Sequence, residues 1–287
     1  MFRLIVSFLI VSQSLSAWWD AGHMTIAQIA YHELEPDVKD QVDQYMQAVS
    51  DPFPNHATFV TSSVWADDII EEGVNAFWSW HGAAYPYDPD GVLTDAAQKE
   101  IIDNLDNNGI VWAINQCMRT LRNPNASAWS KGFMLRMLIH IVGDIHQPLH
   151  CASLYSKDFP KGDRAGTRFY IDHPNYRSLH QIFDGAFDLG GRRPQRPLTD
   201  EDQQFLDHLE NKLTTAYPRS AFPQLCDQEI DHWRAESYQL AVDFAYHRMT
   251  PNGKVSDEVM QEGQLITGRQ MTLAGYRLAD LLNDALK

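Results

Sequence analysis

The sequence predicts an all-α fold: a single-domain helical bundle with long connecting loops and a minor β-hairpin. Three observations lead there. Apolar residues recur at helical spacing in stretches running from Met24 to Leu286. No repeat, low-complexity tract or linker-like run divides the 287 residues, a length that suits one large helical domain. Hydrophobic residues make up 44% and aromatics 11%, eight tryptophans among them, which supplies a core and excludes wholesale disorder.

The first element is not part of the bundle. Met1-Phe2-Arg3 supplies a positive start, LIVSFLIV a short apolar run, and Ser12 to Ala17 a polar, small-residue exit. That is the pattern of an export signal. The run is too short to span a bilayer and no later one is long enough, so no stable membrane insertion is expected. Residues 1–17 are therefore read as a signal peptide and 18–287 as the mature domain, secreted or periplasmic. Small residues at −3 and −1 favour cleavage after Ser16; cleavage after Ala17 places Leu15 at −3.

The periodic stretches predict helices over Met24–Leu34, Asp37–Val49, Ala96–Leu121, Ser130–Asp144, Thr199–Ala216, Asp227–Arg248 and Ser256–Leu286. Start signals accompany two of them: Ser256-Asp257-Glu258 and Pro197-Leu198-Thr199-Asp200-Glu201. The acidic run there suits a helix start rather than a metal loop. Thr167–Asp172 is the strand candidate, set between the Gly162-Asp163 and His173-Pro174-Asn175 turns. Bundles of this kind build metal sites from inward-facing side chains.

The formal charge is −15, and about −16 once Arg3 is removed with the signal. This excludes a nonspecific duplex binder, which needs a basic face. It leaves open a nucleic-acid enzyme whose bound cations supply the local positive charge. Cys117, Cys151 and Cys226 allow one disulfide and one thiol without fixing the pair, and without CxxC spacing they form no zinc site. Asn125-Ala126-Ser127 is a glycosylation sequon.

Chemistry concentrates in Leu138–His150. His140 and Asp144 lie four apart, on one face of a helix. Pro148 then ends the helix and lets His150 swing to the same side. Polar groups among Met137, Leu138, Ile139, Ile141, Val142 and Ile145 need partners, and a divalent cation would satisfy all three. A second pair, His180 and Asp184, has the same spacing. Spacing alone carries little: 12 histidines and 38 acids in 287 positions give about 1.6 such pairs by chance, and three occur, counting His232–Glu236. The clustering of His140, Asp144 and His150 in an apolar helix is the stronger signal.

The order Trp18-x4-His23, Trp65-Ala66-Asp67, His81, His140-x3-Asp144-x5-His150, His180-x3-Asp184 resembles the zinc-dependent single-strand nucleases of fungi and plants, whose superfamily includes bacterial zinc phospholipases C. The likeness covers the mature chain, through Gly143–His150, Trp233–Ser237 and Gly275–Ala279 with Leu282-Asn283. It implies a cleft holding three zinc ions. Asp67, His81, His140 and Asp144 would hold the first, and His150, His180 and Asp184 the second. The amine and carbonyl of an N-terminal Trp18, with His23 and a shared Asp144, would hold the third. That role of the Trp18 amine requires cleavage after Ala17, against the small-residue rule. The resemblance further implies a monomer in which Asp67 orients water or takes its proton. The bond to the 3′ oxygen breaks, leaving 5′-phosphates, and the substrate is single-stranded DNA or RNA, with 3′-nucleotidase action as a companion activity.

Two other functions share parts of this pattern. A phospholipase C is disfavoured because its last ligand pair ends in glutamate, where Asp184 stands here, and because its first histidine lies much further from the N-terminal Trp. A noncatalytic zinc-binding protein is disfavoured because all nine ligand residues are present. His146 reads as structural, His232–Glu236 as a helix-face pair, and His32, His56, His173, His208 and His247 as ordinary residues.

The chain also departs from the family's pattern. Ile70 stands where an arginine is usual, Gly82 and Ala84 where an aromatic and an acid or amide are, and Ala165-Gly166-Thr167 where Gly-Gly-Asn is. These changes spare the ligands and remove the usual base pocket, so weak base preference is expected. Arg164 or Arg168 would then supply the positive charge and Tyr85 or Tyr87 the stacking face.

Overall fold

The computed structural model describes residues 18–287, so the signal-peptide reading of residues 1–17 lies outside the described residues. The chain begins with α1 (Asp20–Glu33) and α2 (Pro36–Ser50), the latter started by a proline in its first turn. Two short helices follow, α3 (Phe59–Ser62) and α4 (Trp65–Glu71), then strand β1 (Tyr85–Tyr87). The helices α5 (Asp95–Asn108), α6 (Ile110–Leu121) and α7 (Ala128–Ile145) lead to β2 (Ala152–Leu154) and the six-residue α8 (Leu179–Asp184). The chain ends with α9 (Asp200–Ala216), α10 (Ile230–Leu240) and α11 (Asp257–Ala285).

Side-chain caps set several starts: Thr94, Ser127, Ser178 and Ser256 each accept a backbone N–H three residues on. Thr199 and Asp202 form a reciprocal capping box, so the acidic run there is a helix start, as expected. The centre of the bundle is α7, packed between α2 and α6, while α1 packs along α11. Every residue from Leu135 to Ile145 is buried, which is why apolar residues occupy every face of that stretch rather than one stripe, with Arg136, His140 and Asp144 as its charged or titratable exceptions.

The structure departs from the expected elements in three places. The helix expected over Ala96–Leu121 breaks at Gly109, whose backbone is extended; a Cβ there would lie 2.5 Å from the Leu105 carbonyl. The break lets the Ile110 N–H donate to the Gly82 carbonyl at 3.1 Å. The helix expected over Asp227–Arg248 widens after α10 into a π-helical turn, Ala241–Tyr246. The minor sheet is present but is not a hairpin. β1 and β2 pair in parallel, Tyr85 opposite Ala152 and Tyr87 opposite Leu154, with the helices α5–α7 forming the crossover that parallel strands need. Thr167–Asp172 makes only isolated bridges, Tyr170 with Ser178 and Asp172 with Lys254.

Cys117, Cys151 and Cys226 are all free thiols, so the disulfide the count allowed is not formed. No helix among the described residues is long and apolar enough to cross a membrane.

Candidate metal centre

Six elements deliver the candidate ligands to one place. His140 and Asp144 project from the buried half of α7, both fully shielded from solvent. Beyond the end of α7, the Gln147 side chain accepts the Leu149 N–H at 2.6 Å, and Pro148 opens a 3-10 turn that carries His150. α1 brings His23, α4 brings Asp67, a 3-10 turn over Asn75–His81 brings His81, and α8 brings His180 and Asp184. The His23 ring stacks on His140 with centroids 4.0 Å apart. That approach needs Gly143, because a Cβ there would sit 2.9 Å from His23 Nδ1.

The side chains fall into three groups able to hold a metal ion: His23, His140 and Asp144; Asp67, His81 and His140; His150, His180 and Asp184. Asp144 faces two of them at once. Its Oδ1 lies 3.3 Å from His23 Nε2, while Oδ2 lies 3.1 Å from His81 Nδ1 and 3.2 Å from His140 Nε2. Asp67 Oδ1 stands 3.5 Å from His81 Nδ1 and 3.4 Å from His140 Nε2. In the remaining group, His180 Nε2 is 3.5 Å from Asp184 Oδ2, and the His150 and His180 rings stack at 5.0 Å.

The hydrogen bonding around these groups fits a cation. Both Asp144 oxygens, both His23 nitrogens, and Nε2 of His81, His150 and His180 are buried with no hydrogen-bond partner. So many orphaned buried atoms are costly in a natural protein unless something satisfies them, and imidazole with carboxylate is a donor set suited to zinc. The outward nitrogens are already engaged. His140 Nδ1 donates to the Ser63 carbonyl and His180 Nδ1 to the Ala165 carbonyl, both at 2.6 Å, and His150 Nδ1 donates to the His81 carbonyl. Each bond fixes the tautomer that leaves an Nε2 lone pair facing inward. Gln147 Nε2 donates to Asp184 Oδ1 at 2.7 Å.

The ionisation of the groups follows from their surroundings. Burial alone would raise Asp144 and Asp67, but the charge of His140 and the other imidazoles close by outweigh it, holding Asp144 well below the usual carboxylate range and Asp67 below it. His140 is correspondingly raised: burial opposes its charge, but the two carboxylates win. Asp184 behaves in the opposite way. Burial pushes it well above the usual range, only partly offset by Gln147. Burial and then the charge of His150 push His180 down to about 3. Burial also lowers His23 and His150, so these imidazoles stay in their ligating, neutral form.

Trp18 is fully buried, and its indole Nε1 donates to the Gly143 carbonyl at 2.8 Å. The next residue donates its backbone N–H to the Asp184 carbonyl at 2.8 Å, which pins this end of the described chain beside the groups.

A cleft of about 760 Å³ opens over His81, His150 and His180. Of the four residues expected to contact substrate, only Arg164 lines it. Arg168 is exposed elsewhere. Tyr85 has Arg234 over its ring at 3.8 Å and its hydroxyl on Asp106; Tyr87 is stacked on Tyr246 at 5.8 Å. Their faces are therefore already covered. Trp78, Tyr155, Asn104 and Asn108 line the cleft instead, and none was singled out from the sequence. Gly82 and Ala84 do line it, as small walls.

His146 is structural, as expected: Nδ1 donates to the Val142 carbonyl at 2.8 Å and Nε2 accepts from Arg277 at 3.0 Å, with burial and Arg277 pushing it down to about 3. The expected His232–Glu236 pair is not made. His232 bonds Asp227 at 2.7 Å, and Glu236 takes both terminal nitrogens of Arg277 at 2.7 and 3.0 Å, because α11 offers it a buried cation.

Residues 18–287 match the model of the S1/P1 nuclease family. Among curated proteins, the chain is 25% identical to Endonuclease 3 of Arabidopsis thaliana over 291 residues, covering 97% of this chain and 93% of that one. It is 25% identical to Endonuclease 4 of the same plant, with 98% and 93% covered, and 23% identical to Endonuclease 2, with 99% and 95% covered.

Proposed function

Because the chain belongs to the S1/P1 nuclease family, and is therefore a nuclease, we propose that it is a zinc-dependent phosphodiesterase that hydrolyses single-stranded DNA or RNA. Its products carry 5′-phosphates, and removal of 3′-phosphates from nucleotides is a companion activity. The observation that carries this reading is the convergence of eight His and Asp side chains, of which His23, His81, Asp144, His150 and His180 carry buried atoms without a hydrogen-bond partner.

In this reading Asp67, His81, His140 and Asp144 hold one zinc ion, His150, His180 and Asp184 a second, and the amine and carbonyl of Trp18 with His23 and Asp144 a third. Bound zinc supplies Lewis acidity toward phosphate oxygens and lowers the pKa of water to near neutrality. The protein does the rest. Asp144 is fully buried and suited to bridging, whereas Asp67 is slightly exposed and kept ionised, so Asp67 is the carboxylate placed to orient water and accept its proton. Arg164, which has no acidic partner among the described residues, offers its guanidinium to a substrate phosphate in the cleft. A space of about 760 Å³ suits an unstacked nucleotide rather than a duplex.

The protein is proposed to act as a monomer outside the reducing cytoplasm, after cleavage behind Ala17 frees the Trp18 amine. N-terminal sequencing of the exported protein is expected to begin at Trp18; a fully active enzyme beginning at Ala17 would exclude the amine as a ligand. The function is tested by incubating mature protein with single-stranded DNA, RNA, duplex DNA and phosphatidylcholine, with and without a chelator. Chelator-sensitive cleavage of the single strands, with about three zinc ions per chain by elemental analysis, is the expected result. Cleavage of phosphatidylcholine without cleavage of either nucleic acid would overturn it.

A further inference from the structure

We propose that Arg196 is a positioning residue for the metal ligands on α1, α4 and α7. Together with Asp20, Asp68, His56 and Arg136 it forms a charged brace that fixes the three helices relative to one another. The inference rests on the zinc reading above for what those ligands hold.

His23, Asp67 and His140 come from three different helices, and ligands must stay within about 0.5 Å of their working positions to bind a metal well. α7 is long and buried, but the other two have weaker footing. α4 has only seven residues, too few for a helix to hold its shape alone. Both α1 and α4 begin without a side-chain cap, whereas α5, α7, α9 and α11 each have one. Nor do α1 and α4 pack on each other to any extent, although both touch α7.

A chain of polar contacts supplies what caps and packing leave out. Arg136, one turn before His140 on α7, is buried and has no carboxylate partner among the described residues. Its guanidinium lies over the rings of Phe53 and, on α4, Trp65, at 5.3 and 5.6 Å, and its Nη2 donates to the His56 carbonyl at 3.0 Å. His56 Nε2 donates in turn to Asp68 Oδ2 at 2.7 Å. Arg196 donates to the same oxygen and lies 3.4 Å from Asp20 Oδ2 on α1, which also accepts from Arg193 at 2.9 Å. The segment bearing these arginines is anchored to α9, where Arg192 donates to Glu201 at 2.7 Å and the Gln195 N–H to Asp202 at 3.2 Å.

The His56, Asp68, Arg196 and Asp20 side chains are no more than 20% exposed, so these are not the freely solvated pairs that contribute little. Their leverage on the ligands is direct. Asp67 and Asp68 are successive residues of one helix, about 100° apart around its axis, so a roll of α4 that moves one moves the other. Asp20 lies in the first turn of α1, three residues before His23. Arginine suits the role because its planar fork reaches two carboxylates at once, where lysine offers a single point charge.

The test uses the mature, zinc-loaded protein, with zinc retention read by chelator competition and kcat and KM read on single-stranded DNA. Arg196→Ala is expected to release the two ions of the helix ligands about tenfold more readily, leaving the ion of His150, His180 and Asp184 in place. It is expected to lower kcat about tenfold with KM within about twofold, since partners that orient metal ligands are commonly worth about 10–100-fold. Arg196→Lys keeps the charge and should fall between; it carries the same test if the alanine variant folds poorly. Asp68→Ala should match Arg196→Ala, and the double variant should be no worse than either, because both cut one chain. Arg122→Ala removes an exposed pair with Asp284 and should change neither quantity. A fall in Tm with zinc retention and kcat unchanged in the Arg196 variants overturns the proposal, as does equal loss of all three ions. Zinc retention that depends on Arg196 without cleavage of nucleic acid keeps the brace and defeats the nuclease reading, while cleavage with retention indifferent to Arg196 does the reverse.

Discussion

His23, Asp67, His140 and Asp144 stand on α1, α4 and α7, helices packed into the main core. His150, His180 and Asp184 stand on a 3-10 turn and the six-residue α8, and the backbone around them is unusual. Arg164 and Ala165, with φ of 54° and 55°, lie in the left-handed region, as do Ala186, Phe187 and Asp188, which follow Asp184 after Gly185, with φ of 47°, 52° and 67°. Each such residue costs about 1–3 kcal/mol and persists only where its surroundings over-determine it. Here they do. Ala165 accepts from His180 and donates to Ser153 Oγ at 3.3 Å. Phe187 packs against Phe183 and Phe244 and accepts from Gln264 at 2.7 Å, and Asp188 accepts from the Tyr176 hydroxyl at 2.6 Å.

The charges differ as well. Without metal, the helix-borne group compensates internally, with Asp144 held ionised and His140 held protonated. In the loop-borne group burial raises the Asp184 carboxyl and lowers the His180 imidazole, both toward their uncharged forms. One group is a preformed ionic network, and in the other burial opposes the charged carboxylate that a cation would need. A rigid scaffold can support both, but only the first is organised before metal arrives.

The largest expected effect breaks the helix-borne group. Asp144→Ala removes the carboxylate that faces two of the three groups and leaves buried His140 with less compensation. It should lose at least two of about three ions and lower kcat/KM by roughly 10³-fold or more. Asp184→Ala should lose one ion, with the helix-borne metals retained. Elemental analysis of both variants checks this, and equal metal loss from the two would erase the distinction.

The sequence shows the two groups unequally. His140 and Asp144 are legible because four-residue spacing inside an apolar helix leaves a cation as an economical partner. His180 and Asp184 have the same spacing on α8, but six residues give no periodicity, and chance supplies such pairs. Asp67 and His81 become candidates only through the family's order, because α4 and the 3-10 turn are too short for a 3.6-residue repeat to register, and His23 likewise, because it lies just before the periodic stretch that begins at Met24. The carbonyls of Ser63 and Ala165 that orient the rings carry no side-chain signal at all. Nor does the cleft wall. Tyr85 and Tyr87 were aromatic and close in sequence to His81, yet Arg234 and Tyr246 arrive from α10 and the π turn to cover them, while Trp78 stays open.

The second prediction sharpens the electrostatic contrast in chelated protein. Asp144 and Asp67 have lowered folded pKa values, so their contribution to stability is present above the unfolded carboxylate pKa and is lost as pH falls through the folded values. Asp184 has a raised folded pKa, so its contribution is present below the unfolded value and is lost as pH rises through the folded one. At neutral pH and above, the Asp184 carboxyl is therefore a liability in the metal-free chain. Asp184→Asn keeps an acceptor for Gln147 and removes that titration. Its Tm without metal should exceed that of the unaltered protein by roughly 5 °C at pH 8, with the gap closing toward pH 4. Asp144→Asn should lower Tm at neutral pH. A fall in Tm for both variants at pH 8 would show that the two groups do not differ in this way.

The smallest expected effect concerns the strained turn itself. Ala165 is held left-handed so that its carbonyl meets His180 Nδ1, while its amide meets Ser153. Glycine adopts that conformation without the clash between Cβ and the following carbonyl, at a gain of about 1 kcal/mol partly offset by the greater freedom of the unfolded chain. Ala165→Gly should therefore raise Tm by about 1–3 °C. The same substitution frees the turn to leave the left-handed region, so the carbonyl no longer fixes His180 as firmly. Chelator competition should then show zinc leaving the loop-borne group a few-fold more readily, with metal in the helix-borne group unaffected, since hydrogen bonds to the outer nitrogen of metal-ligating histidines are commonly worth about 10–100-fold and this one is loosened rather than removed. Stability and metal retention thus move in opposite directions at one residue. That divergence separates a turn strained to hold a ligand from one that is merely awkward to fold, because in the latter Ala165→Gly would raise Tm and leave both groups' metal affinity where it was.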